Sequence, residues 1–194
     1  MQVTSKSVTS KSASQNVSRK KDANENAITL LEQDHQKVKK LFKEFEKLAK
    51  KDDDSKVDTA NQICAELMVH AQIEEEIFYQ EARKQINDDD LMNEAIVEHD
   101  SAKELIAQIQ SLSPDDEMYD AKVTVLGEYI NHHVEEEETE MFPKMRKTKV
   151  DLDDLGMRLK MLKEELTAEL MDPEGNIDLE MLKQKALEAA STKH

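Results

Sequence analysis

The chain has 194 residues with a formal net charge of −16, 36% charged and 38% hydrophobic residues, only 3 Gly and 3 Pro, and no Trp. A surface this acidic opposes phosphate backbones, so no nucleic-acid partner is expected. No apolar run approaches the ~20 residues needed to cross a bilayer, so no membrane partner is expected either. Few helix breakers and long stretches of three-and-four spacing predict an all-α protein.

Residues 1–23 are rich in Ser, Thr and Lys, show no apolar periodicity, and contain no apolar stretch suited to a secretory signal. They predict a disordered tail, with the lysines and Arg19 as a weak basic docking element. A first helix is predicted from about Asn24 to Lys51, with Leu31, His35, Val38, Phe42 and Phe45 on one stripe. Asp52-Asp53-Asp54-Ser55 signals a turn and a new helix start, and a second helix follows to about Ile86. Asn87-Asp88-Asp89-Asp90 marks the next turn. The third helix aligns Met92, Ile96, His99, Ala102, Ile106 and Ile109. Ser113-Pro114 predicts the start of a fourth helix, with proline at its first position, and Pro143 is expected to bend or loosen its last turns. Beyond Thr148, Leu152, Leu155, Leu159, Leu162, Leu166 and Leu170 predict a further helix, and a short one follows from about Asp178 to Ala190. The organisation is thus a tail at 1–23, a bundle at 24–148 and appended helices at 149–194, which cover the bundle or join a partner chain. A monomer, or a homodimer through the C-terminal helices, is expected. The single Cys64 excludes an intramolecular disulfide and reads as a reduced packing residue in a cytoplasmic protein.

The second and fourth helices repeat one pattern. Ile63, Leu67, His70, Glu74 and Phe78 match Leu126, Ile130, His133, Glu137 and Met141, each pair 63 positions apart. Asp34-His35 and Glu98-His99 repeat likewise on the first and third helices, 64 positions apart. These residues step by three or four, so each set faces a core. A buried His or Glu without a partner costs roughly 1–3 kcal/mol, and a shared metal removes that cost. Four helices with short connections read as an antiparallel up-down-up-down bundle, with His35, His70, His99, His133, Glu74 and Glu137 around one cavity. Imidazole and carboxylate without thiolate suit iron, manganese or zinc, and two Glu from opposite helices favour a dinuclear site. The ferritin-like alternative requires Glu-x-x-His on two helices, and only Glu32-x-x-His35 has that spacing. Glu32 therefore reads as a solvated helix-face residue. His133 rather than the adjacent His132 continues the Leu126–Ile130 stripe, which leaves His132 outside the bundle.

Asp34-His35, His70-Ala-Gln-Ile-Glu74-Glu-Glu-Ile-Phe78-Tyr, Glu98-His99-Asp100 and His133-Val-Glu-Glu-Glu137-Glu138-Thr-Glu-Met-Phe142-Pro143 resemble the bacterial hemerythrin-like, or HHE cation-binding, domain over roughly residues 24–148. The resemblance implies a four-helix bundle holding two iron ions joined by an oxo or hydroxo bridge. On it, Glu74 and Glu137 match the bridging carboxylates, and His35, His70, His99 and His133 match terminal ligands. Oxygen-carrying relatives have a further His four residues after the position of His99, where this chain has Lys103. One iron would then lack a His ligand, and an open coordination position is what a reactive site keeps. The expected function is a di-iron protein that binds, senses or detoxifies O2, NO or H2O2, or handles iron. A di-iron enzyme with catalase-like or ferroxidase turnover, and a metal-free helical interaction module, are the other readings.

Overall fold

Asn26 opens the first helix of the computed structural model, which describes residues 26–51 and 54–192. Its Oδ1 accepts the Thr29 N–H at 3.0 Å, and α1 then runs Ala27–Ala49. The tail expected over residues 1–23, and His194, lie outside the described residues. α2 covers Lys56–Ile73, passes through a π-helical turn at Glu74–Phe78 and closes with Tyr79–Gln85. α3 spans Asp89–Ser111 behind Asp88, whose carboxylate accepts the Leu91 N–H. α4 covers Tyr119–Glu136, a second π-helical turn at Glu137–Met141, and Phe142–Met145. α5 (Leu152–Glu169) and α6 (Leu179–Ser191) are capped by Asp151 and Asp178, which accept N–H groups of their first turns. Between them Gly175 takes φ +86°, a left-handed turn conformation that a residue with a Cβ rarely adopts. The fold is all-α: six helices and no strand among the described residues.

Two expectations are corrected. α4 does not start at Ser113-Pro114. The chain instead makes consecutive turns, with Asp116 N–H donating to Ser113 O and Tyr119 N–H to Asp116 O. The Asp116 carboxylate takes the Met118 N–H at 2.8 Å, a local bond that competes with helix until Tyr119 is buried. The end of α4 is not simply loosened by Pro143 either. It contains a π turn, and α2 contains the same turn with Gln80 at the position matching Pro143. Proline is therefore not the common cause.

The predicted stripes form the core. Leu31, Val38, Phe42 and Phe45 of α1 meet Ile63, Leu67 and Phe78 of α2, while Met92, Ile106 and Ile109 of α3 meet Leu126, Ile130 and Met141 of α4; all are buried. α1 contacts α2 and α4, and α3 contacts the same two, which closes a four-helix ring. α1 and α4 approach closely at Gly127, where an added Cβ would stand 3.0 Å from Phe42 Cδ1. Outside the ring, α5 lies across α1, α2 and the π turn of α2, burying Leu155, Leu159 and Leu166, and α6 lies along α3. No helix of the described residues is long and apolar enough to cross a membrane.

Candidate metal centre

Each π turn begins on a glutamate of the repeat. In α2 the Tyr79 N–H reaches Glu74 O, and in α4 the Phe142 N–H reaches Glu137 O, five residues back instead of four. One extra residue in a turn rotates everything after it by about 100° relative to an unbroken α-helix. On a regular helix Tyr79 would face away from His70. The rotation brings it onto the cavity side, where it is 2% exposed. Phe142 arrives at the matching place in the other half. Its ring stacks on His35, with centroids 5.7 Å apart and planes 7° from parallel, while the Tyr79 ring lies 5.4 Å from His99.

The six predicted residues converge at the centre of the ring, with exposures from 0% (Glu74) to 6% (His70). They form two donor groups that share Glu74: His35, His70, Glu74 and Glu137, and then Glu74, His99 and His133, with donor atoms in each group within 4.8 Å of one another. Glu74 Oε2 stands 3.1 Å from His70 Nε2 and 3.4 Å from His99 Nε2. Glu137 Oε2 stands 3.2 Å from His35 Nε2 and 3.6 Å from His133 Nε2. Each carboxylate thus touches one histidine of each half. The Nε2 atoms themselves face one another, at 3.2 Å for His35 and His70 and 3.1 Å for His99 and His133.

Outside this set, every ring Nδ1 faces a carboxylate. His35 Nδ1 is 3.0 Å from Glu138, His99 Nδ1 is 2.8 Å from Glu75, His133 Nδ1 is 2.8 Å from Glu98, and His70 Nδ1 is 3.6 Å from Asp34. An Nδ1–H donated outward leaves the Nε2 lone pair pointing inward, which is how a carboxylate fixes a metal-binding tautomer. Without a metal ion, one proton between the two Nε2 atoms of each close pair satisfies both.

The electrostatics follow from burial and these partners. Burial pushes the His70 imidazolium down, but Glu74 and Asp34 outweigh it and hold its pKa up at about 10. The same opposition, with Glu74 and Glu75, holds His99 at about 9. Burial works to raise Glu74, and the cationic rings of His70 and His99 overcome it, so its pKa falls well below the ordinary carboxylate range. Burial and the carboxylates of Glu137 and Glu74 push the Tyr79 phenol well above its usual value. Tyr79 therefore keeps its proton and donates it to Glu137 Oε1 at 2.8 Å.

A pair of metal ions fits the donors present. Glu74 Oε1 is buried without a hydrogen-bond partner, and Glu137 Oε2, though 3.2 Å from His35 Nε2, receives no well-directed hydrogen bond; buried carboxylate oxygens left so at the meeting point of four imidazoles are donors in want of a cation. On the histidine side a cavity of about 20 Å³ adjoins the cluster, walled by Val38, Leu67, Ile106 and Ile130, with room for about one water-sized guest.

Around the cluster, His132 is 63% exposed and contacts Glu98 and Glu136 at the surface. Glu32 is not merely solvated: it accepts from Arg146 Nη2 at 2.5 Å, tying α1 to the end of α4, and it is not among the donor groups of the cluster. The Lys103 ammonium is held beside His99, 2.6 Å from both oxygens of Glu75, in a side chain only 9% exposed. Tyr79 and the four outer carboxylates were not legible as site residues. The 63-residue repeat does, however, place Glu75 against Glu138 and Tyr79 against Phe142, which is a usable signal.

Residues 26–145 match the Hemerythrin HHE cation binding domain family. A curated protein of Nostoc sp. (strain PCC 7120 / SAG 25.82 / UTEX 2576), named DNA nickase, is 32% identical over 122 residues, which is 62% of this chain and 34% of that protein. The chain thus spans about a third of the length of the curated relative it matches. No solved structure matches.

Proposed function

Because the chain belongs to the hemerythrin HHE cation-binding family, we propose that its buried cluster holds two iron ions and binds small oxidants or diatomic gases, namely O2, NO or H2O2, beside them. One observation carries the reading: Glu74 and Glu137 each contact a histidine of both halves, which supports a centre in which each would be shared by two ions held by the pairs His35/His70 and His99/His133. When bound, the iron pair supplies the redox chemistry and the open coordination that no side chain here offers.

The protein's own residues bind, orient and exclude. The four histidines present Nε2 because Glu138, Asp34, Glu75 and Glu98 occupy or face Nδ1. Lys103 stands where oxygen-carrying relatives supply a further imidazole, and its ammonium is committed to Glu75, so it offers no lone pair. Tyr79 Oη lies 3.4 Å from His99 Nε2 and 3.5 Å from His133 Nε2, and it keeps a proton beside that donor pair. The apolar walls of the small cavity admit a diatomic molecule more readily than a charged one. Turnover of peroxide is the second reading, favoured by that proton on Tyr79. The activity named for the Nostoc protein forms no part of the proposal, since a net charge of −16 disfavours DNA. A reducing cytoplasmic setting suits the single thiol of Cys64, which burial pushes up to about 12 and so keeps unreactive.

The test is elemental analysis of protein made in iron-replete medium, joined to optical spectra before and after oxygen, nitric oxide and peroxide. About two irons per chain, with a spectrum that responds to at least one of these, is the expected result. One zinc per chain, or no metal, overturns the reading.

A further inference from the structure

The four outer carboxylates are related in pairs by the internal repeat. Glu138 on His35 corresponds to Glu75 on His99, and Asp34 on His70 corresponds to Glu98 on His133. Three of them come within 3.0 Å of their ring nitrogen. Asp34 does not: its Oδ2 is 3.6 Å from His70 Nδ1, and both atoms are buried with no other hydrogen-bond partner. The reason is in the sequence, because Asp34 is one methylene shorter than Glu98. Its other oxygen, Oδ1, is bonded by the ammonium of Lys163. Lys163 belongs to α5, beyond the matched segment 26–145, and reaches α1 across 129 positions of chain. Leu155, Leu159 and Leu166 seat that helix on the bundle and so present the lysine inward.

We propose that Lys163 is a positioning residue of the metal centre: by clamping Asp34 it keeps the short carboxylate aimed at His70 Nδ1, which makes the C-terminal helix part of the site. The proposal rests on the metal reading above. Two acidic oxygens sit on one carbon in Asp34, and fixing Oδ1 from the α5 side leaves Oδ2 no orientation but the one facing the ring. With Lys163 removed, the carboxylate loses its cation and turns toward the open cleft between α1 and α5, bordered by Gln33 and Lys160. His70 then loses the acceptor that fixes its tautomer and strengthens its donation to an ion. Glu98 needs no such clamp, because its extra methylene already brings it to 2.8 Å.

The experiment compares wild type, Lys163→Met, Lys163→Arg and Asp34→Glu, alone and combined, loaded with Co2+ and with Fe2+. Affinity is read by competition with a chromogenic chelator, donor geometry by the Co2+ visible bands, and folding by far-UV circular dichroism of the metal-free protein. Lys163→Met is expected to weaken binding by about tenfold or more, the range found for partners of metal-bound histidines, and to shift the Co2+ bands. Lys163→Arg retains most of the affinity. In Asp34→Glu the longer carboxylate reaches His70 unaided, so adding Lys163→Met costs little. Unchanged affinity and bands in Lys163→Met, or an undiminished loss in the Asp34→Glu background, overturns the proposal. If wild-type protein takes up neither ion, the metal reading itself fails, and that is seen before any variant is compared.

Discussion

Tyr79 and Phe142 occupy equivalent places in the two halves of the bundle, each just past a π turn and each beside a histidine of another helix, yet only Tyr79 carries a hydroxyl, which it donates to Glu137. The two histidine pairs therefore share a donor type but not a neighbour. One is flanked by a stacked hydrocarbon ring and the other by a proton donor.

Removing that hydroxyl leaves Glu137 Oε1 without its 2.8 Å donor in a buried site. Tyr79→Phe is expected to destabilise the metal-free protein by about 1–3 kcal/mol, the usual cost of orphaning a buried acceptor. Urea denaturation of metal-free protein checks this. In the iron-loaded protein the same change alters the optical spectrum, whereas Phe142→Leu changes packing alone.

Adjacent residues on α4 give a sharper contrast. His133 is 3% exposed with Nε2 inside the cluster, and the His132 side chain is 63% exposed. His133→Ala and Glu137→Ala should each lower metal content well below that of wild type, with Glu137→Ala losing both ions because it touches both halves. His132→Ala should leave content near normal. A metal-replete His133→Ala protein would place the donors elsewhere.

The helices and the six central residues were legible because they share one regular period. His35, His70, His99 and His133 fall on stripes of buried Leu, Ile and Val, and a polar residue on such a stripe is conspicuous. Tyr79 was not legible, since a period of 3.6 residues places it opposite His70, and only the π turn brings it round. Glu75 and Glu138 sit in acidic runs and Glu98 stood out only as the neighbour of His99 in the repeat, because which glutamate meets a ring nitrogen depends on the neighbouring helix. The start of α4 was misplaced through Ser113-Pro114, a strong local signal that Asp116 overrides with its own turn. Lys163 was hidden by distance along the chain, being one lysine in an amphipathic helix.

Acidity acts on the metal-free protein in two separate windows. His70 and His99 have folded pKa values of about 10 and 9, above the unfolded value of 6.5. Their stabilisation is complete below pH 6.5 and is lost as pH rises toward 9 and 10. Asp34, Glu74 and Glu75 are shifted downward, so theirs is present above about pH 4.5 and is lost on further acidification. Metal-free protein should thus be less stable at pH 9.5 than at pH 6.5. Binding an ion displaces the protons on His70 and His99, so uptake at pH 7 releases protons and affinity rises with pH. Calorimetric titration in buffers of different ionisation enthalpy measures the protons released, and none released would count against this account.

Lys103 separates the inner cavity from an open surface groove bordered by Met68, Gln72 and Glu188. Its ammonium holds Glu75, which in turn holds His99. Lys103→Met removes the ammonium that holds Glu75 and should loosen this wall, speeding the reaction of iron-loaded protein with peroxide. Lys103→His, which puts an imidazole four residues after His99, should slow it by offering a bound ion a further nitrogen lone pair. Stopped-flow spectra of the three proteins decide the order, and equal rates in all three would remove Lys103 from the account.

The crossing of the carboxylates has a mechanical consequence. His35 and His70 belong to one helical hairpin and His99 and His133 to the other, while Glu74 reaches from the first into the second and Glu137 from the second into the first. Ions seated there would rivet the two hairpins together, as a cross-link closes a loop in the chain. Pulled from its ends, the loaded bundle should part as one unit at a single high force, and the metal-free bundle should peel apart hairpin by hairpin.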